Sequence, residues 1–116
     1  MLNWPSTVKV FVYTQPTDMR RSFDRLAAMT TELLKQNPLS GHLFVFVNRR
    51  ANRMKILFWD RTGFCLFYKR LEQGLFRLPK TTDHCLEMNA IQLTLILEGL
   101  DLLHVKQRKR FALTGT

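Results

Sequence analysis

The sequence predicts an α+β fold: a mainly antiparallel sheet of about five strands, a meander at its core, with two helices packed against one face. Three observations carry that expectation. Short β-branched and aromatic runs recur at intervals too close for helical crossovers. Two stretches repeat apolar residues at helical spacing, and 46% hydrophobic residues suffice for one core. A chain of 116 residues fits one domain, assigned to 1–105, with 106–116 expected as a basic, mobile C-terminal tail.

The first strand is Val8 to Tyr13 (VKVFVY), ended by Gln15 and Pro16. Thr17 or Asp18 can then cap a helix by accepting from first-turn amides. Phe23, Leu26, Ala27, Thr30, Leu33 and Leu34 follow on one helical face, and Asn37-Pro38 is the expected stop. His42 to Val47 (HLFVFV) is apolar on both faces, as a covered strand is. Met54 to Trp59, Phe64 to Leu71 and Leu75 to Leu78 complete the meander. Gly63 and Gly74 each stand fourth in a turn, where a type I turn closing on a left-handed residue wants glycine. Pro79 to Glu87 reads as a loop, with Leu86 to Met88 extended. Asn89 and Gln92 then have capping-box spacing ahead of a leucine-rich helix that Gly99 stops.

Charge narrows the function. The 18 Lys+Arg against 9 Asp+Glu give net charge +9 and a pI near 10.3, which favours polyanions, nucleic acid first. If both turns take the type I form, Asp60 pairs with Phe64 and Leu71 with Leu75. Lys55, Lys69 and Arg77 then stand side by side across three strands. Like charges directly opposite destabilise a sheet, so an anionic ligand is the natural reason for such a row. Arg49, Arg50 and Arg53 cluster in the loop at one end of this sheet, and Arg61 lies in the next turn towards the other. Trp59 and Phe67 fall on the lysine face, a mixture that suits nucleic acid. The competing reading makes the aromatics core, with the lysines snorkelling from its margin.

Other chemistries find little support. Asp18, Asp24, Asp60 and Glu72 are the conceivable metal-binding acids for phosphoryl transfer, yet each has a simpler place as a helix cap, on a helix flank or in a turn. Cys65, Cys85, His42, His84 and His104 lack the paired spacing of structural zinc. No cofactor and no small-molecule substrate are expected. No apolar run reaches the ~20 residues that span a bilayer, and the first helix mixes acids with its basic residues, so no membrane partner is expected. The N-terminus has no signal-peptide pattern and two cysteines make no disulfide framework, so a cytoplasmic location is expected.

An ordered set of motifs adds a resemblance. Pro16-Thr17-Asp18-Met19-Arg20, Phe23-Asp24-Arg25-Leu26-Ala27, the run Asn37 to Phe46 and Asn48-Arg49-Arg50 come first. Lys55-Ile56-Leu57-Phe58-Trp59-Asp60, the run Tyr68 to Phe76, Gln92-Leu93 and Leu97-Glu98-Gly99-Leu100-Asp101 follow. From about Val8 to Asp101 the chain closely resembles the accessory protein called TnpB, the second-frame product of the insertion-sequence 66 family of bacterial transposable elements. The resemblance implies an auxiliary role in DNA transposition beside a separate, larger transposase that carries the catalytic acids. It transfers no catalytic residues.

Two functions follow as expectations. In one, the chain is a non-catalytic factor that binds DNA through Arg49, Arg50, Arg53, Lys55, Lys69, Arg77 and the tail cations Lys106, Arg108, Lys109 and Arg110, holding phosphates without reading sequence. In the other, it is an interaction module that scaffolds the transposase or another element-encoded protein through the second helix.

Overall fold

Val10, Phe11 and Val12 are β-branched or aromatic and fully or nearly buried, and they form the middle of strand β1 (Lys9–Tyr13) in the computed structural model, which describes residues 4–99. Helix α1 (Phe23–Glu32) follows, then β2 (Leu43–Val47), β3 (Arg53–Trp59), β4 (Phe64–Arg70), β5 (Cys85–Asn89) and helix α2 (Ala90–Leu97). The five strands form one mixed sheet in the order β4-β3-β2-β1-β5. Only β1 and β2 run parallel, joined through α1, and the other pairs are antiparallel. The fold is α+β, with the meander β2-β3-β4 as expected.

Every residue of β2 is buried, because the sheet is covered on both faces. Alternation sorts the side chains. Phe11, Phe44, Phe46 and Leu57 face α1 and pack with Leu26, Met29 and Leu34, and the Phe11 and Phe44 rings stack at 5.9 Å. Val10, Val12, Val45, Met54 and Ile56 face the other way, onto Leu93, Ile96 and Leu97 of α2. Each such side chain contributes about 1.5–3 kcal/mol of transfer free energy. The helices therefore lie on opposite faces, not on one. The reason is in β1 and β2, whose apolar residues occupy both faces and need cover on both.

Helix α1 departs from expectation at each end. It starts after Ser22, which makes no side-chain cap bond. Asp18 serves a local turn instead, accepting from the Arg20 amide at 2.9 Å and the Arg20 guanidinium at 2.6 Å. It ends at Glu32, before Asn37-Pro38, because Lys35 takes a left-handed φ of 56° while Leu34 turns into the core. Phe23 and Leu33, expected in the stripe, are each 42% exposed, and Met29 takes the place inside.

The expected strand over Leu75 to Leu78 does not form. Phe76 folds over the end of the sheet, 3% exposed, and its amide donates to Ala51 O at 2.7 Å. Burying that ring outweighed extending the ladder. The fifth strand is β5, antiparallel to β1. Helix α2 begins with the expected capping box, Asn89 accepting from the Gln92 amide at 2.8 Å and Gln92 Oε1 from the Asn89 amide at 3.0 Å. Gly99, φ 76°, follows it as the expected stop. The expected tail, 106–116, lies outside the described residues.

Candidate nucleic-acid interface

Because β1 and β2 are parallel, the chain leaving β1 and the turn leaving β2 meet at the same end of the sheet. The Asn48–Asn52 turn is organised by one side chain. Asn48 Oδ1 accepts from the amides of Asn52 and Arg53 at 3.0 and 2.9 Å, and its Nδ2 donates to Asn52 Oδ1 at 2.8 Å. That frees Arg49 and Arg50 to project, both exposed. Opposite, the Thr17 amide donates to Val47 O at 2.8 Å, and Lys55 Nζ donates to Arg21 O at 2.7 Å. These bonds hold the approach to α1 over the sheet.

Between the two segments lies a cleft of about 790 Å³. Five arginines line it: Arg21 and Arg25 from the α1 side, Arg49, Arg50 and Arg53 from the turn side. None makes an ion pair with a described residue. Tyr13, Met29 and Leu33 add apolar wall, and Thr17, 4% exposed, brings a buried hydroxyl that has no hydrogen-bond partner among the described residues. Asp18 is the carboxylate of the lining. Its hydrogen bonds from the Arg20 side chain and amide lower its pKa to about 2, so it stays ionised.

The positive row predicted from sequence is not there. The Asp60–Gly63 turn puts Arg61, not Gly63, in the left-handed region (φ 86°), and pairing resumes at Trp59↔Phe64. That moves the register by one residue, so Lys55 faces Tyr68 and Lys69 faces Met54. The two lysines consequently point to opposite faces of the sheet. Lys55 is 7% exposed, on Arg21 O and 5.0 Å from the Tyr68 ring centroid. Lys69 Nζ donates to Leu97 O at 2.6 Å, a cation at the carboxyl end of α2. Arg77 is exposed in the irregular segment after β4. Trp59 and Phe67 separate in the same way, Trp59 packing edge-on against Phe64 at 5.1 Å and Phe67 packing on the α2-side core.

A like-charge pair does occur, at Arg53↔Arg70. Arg53 Nη1 donates to Tyr68 Oη at 3.1 Å, and Arg70 is paired with Glu72 at 2.8 Å. These four residues line a second hollow of about 270 Å³, sharing Arg53 with the first.

Of the cations predicted to bind nucleic acid, the structure gathers Arg49, Arg50 and Arg53. Lys106, Arg108, Lys109 and Arg110 lie outside the described residues. Arg21 and Arg25 were missed. The available signal was the distance from Tyr13 to Leu43 with a helix between, which suits a parallel crossover and would set the start of α1 beside the end of β2. Among the described residues no three His, Cys, Asp or Glu side chains come together to hold a metal ion, and no helix is long and apolar enough to cross a membrane.

Comparison with known proteins gives the geometry a context. The family described as "IS66 Orf2 like protein" matches residues 8–107. Two proteins of Sinorhizobium fredii are similar along most of their length. "Uncharacterized protein y4hO" is 39% identical over 110 residues, covering 95% of this chain and 96% of its own. "Uncharacterized protein y4jC" is 36% identical over 101 residues, covering 87% and 86%. No solved structure matches.

Proposed function

This chain belongs to the IS66 Orf2-like family, which gives it an accessory role in transposition, and on that premise we propose that it acts by binding DNA at the arginine cleft, without catalysing a step itself. One observation carries the reading: five arginines converge on a concave surface that holds one carboxylate, Asp18, and none of the five is in an ion pair among the described residues. Five guanidinium groups against one carboxylate leave an excess of positive charge, and phosphates relieve that repulsion while accepting bidentate bonds. Arg49, Arg50 and Arg53 remain DNA contacts, joined by Arg21 and Arg25. Lys106, Arg108, Lys109 and Arg110 add backbone neutralisation, whereas Lys55 and Lys69 support the fold.

The test is equilibrium binding to duplexes carrying the element's ends and to random duplex, across a salt series. Log affinity should fall with log salt by about 0.9 per phosphate contact. Arg49→Ala with Arg50→Ala should weaken binding about a hundredfold and flatten the slope by about 0.9 per arginine removed. An unchanged slope in that variant would dismiss the cleft as the DNA surface.

A second reading keeps a specific observation in its favour. Ile91 on α2 is 72% exposed and Leu95, one turn on, is half-buried. That edge suits contact with the transposase. Ile91→Ser should then abolish transposase capture while leaving the melting temperature unchanged.

A further inference from the structure

We propose that the arginine cleft takes a single DNA strand, with an unpaired base inside it, in preference to duplex; this rests on the DNA-binding reading above and specifies its substrate. The first support is scale and shape. The arginines stand on two facing walls around about 790 Å³. That lies in the range of about 300–1,000 Å³ in which proteins enclose small molecules, the scale of nucleotides. A duplex is convex and meets such a cleft only at its rim, where Arg25, Arg49 and Arg50 are exposed.

The second support is the lining. Tyr13 is half-buried there, Met29 is buried in the lining, and Leu33 keeps 42% of its surface exposed beside the guanidinium groups. Duplex DNA presents phosphates and base edges to a charged surface, and its base faces are stacked away. An unpaired base offers a π-face to aromatic side chains and to arginine planes. A cleft that combines cations with apolar wall therefore matches a strand better than a duplex.

The third support is Thr17. Its hydroxyl is buried in the cleft wall and unpartnered among the described residues. Buried polar groups are nearly always satisfied, so this hydroxyl, inaccessible as it stands, is one that a ligand's polar edge can satisfy once the Thr17 side chain turns into the cleft. A base inserted between the walls brings polar edges to that side chain, whereas a duplex held by the exposed arginines keeps its base edges outside the cleft.

The experiment uses the full chain and a labelled strand of about ten nucleotides, within the site size of a single binding module. The same strand annealed to its complement and a free deoxynucleoside monophosphate serve as the other probes. The strand should bind at least about tenfold tighter than its duplex, with a salt slope of about −0.7 per contact. Thr17→Val keeps the shape and removes the hydroxyl. It should leave the melting temperature equal or higher while weakening strand binding severalfold and duplex binding not at all. Equal affinity for strand and duplex, or strand binding indifferent to Thr17→Val, would overturn the single-strand proposal and leave DNA binding standing. A monophosphate that competes as well as the strand would also overturn it, making the ligand a free nucleotide. Failure of both strand and duplex to bind would remove the DNA-binding reading itself.

Discussion

The two hairpin turns of the sheet use the same local chemistry and end with different electrostatics. In each, one side-chain oxygen at the first position accepts backbone amides further on. Asn48 Oδ1 takes those of Asn52 and Arg53, and Asp60 Oδ1 takes those of Thr62 and Gly63, both at 3.1 Å. Asp60 is a carboxylate, its pKa held below the usual range first by the Thr62 amide and next by the Cys65 thiol. It balances the single arginine of its turn, Arg61. Asn48 is neutral, so Arg49, Arg50 and Arg53 around it keep their full charge. The Asp60 turn is therefore neutral, whereas the Asn48 turn keeps all three of its positive charges. The turn geometry is a matter of hydrogen bonding, and the charge offered to a polyanion is a matter of how many arginines the turn carries and whether its acceptor is ionised.

The contrast can be broken from behind the arginines. Lys55→Met should unfold at lower denaturant by about 1–3 kcal/mol, because Arg21 O loses its donor and a buried ammonium contact disappears. DNA affinity should fall with it, since Arg21 loses its anchor. Lys69→Met, at the far face, should lower stability by about 0.3–1 kcal/mol through the end of α2 and leave DNA affinity alone. Chemical denaturation and anisotropy on the two variants decide the matter. Equal effects on binding would mean that the lysines share a function after all.

A sharper version exchanges the scaffolds. Asn48→Asp keeps the acceptor of the turn, requires the Asn52 side-chain amide to reverse and donate to the new carboxylate, and adds a charge among the arginines, so DNA binding should weaken about tenfold, or about 1.4 kcal/mol. Asp60→Asn should leave binding as it is. If Asn48→Asp binds normally, the charge of the scaffold does not matter.

The smallest effect concerns Asp18. With its pKa lowered to about 2 from 3.8, its ionised form stabilises the fold above about pH 4, and that contribution is lost as pH falls towards 2. DNA affinity should therefore be flat from about pH 5 to 8, and Asp18→Asn should raise it about threefold by removing the negative charge from the lining. A binding curve that changes between those pH values would assign the contact to other groups.

Much of this fold was legible because it is written locally. The β1 run, the doubly apolar β2 and the Asn89/Gln92 capping box each depend on a few neighbouring residues, and each appears where the pattern puts it. What failed depends on parity or on distant partners. Placing the left-handed residue at Gly63 instead of Arg61 shifts one ladder by a single residue, and the Lys55–Lys69–Arg77 row vanishes. The segment around Phe76 reads as a strand by composition, yet its ring joins the core on the α2 side of the sheet. The site shows the same division. Arg49, Arg50 and Arg53 cluster in sequence and could be named from it, whereas Arg21 and Arg25 reach them only through the parallel pairing of β1 and β2.

The most direct test of the central claim is a titration of the isotopically labelled protein with a short DNA strand, following the arginine Nε–Hε signals by nuclear magnetic resonance. Arg21, Arg25, Arg49, Arg50 and Arg53 should shift together and saturate together, while Arg20 and Arg61 stay in place. Shifts confined to Arg61, or to the cations of 106–110 with the cleft arginines unmoved, would contradict it.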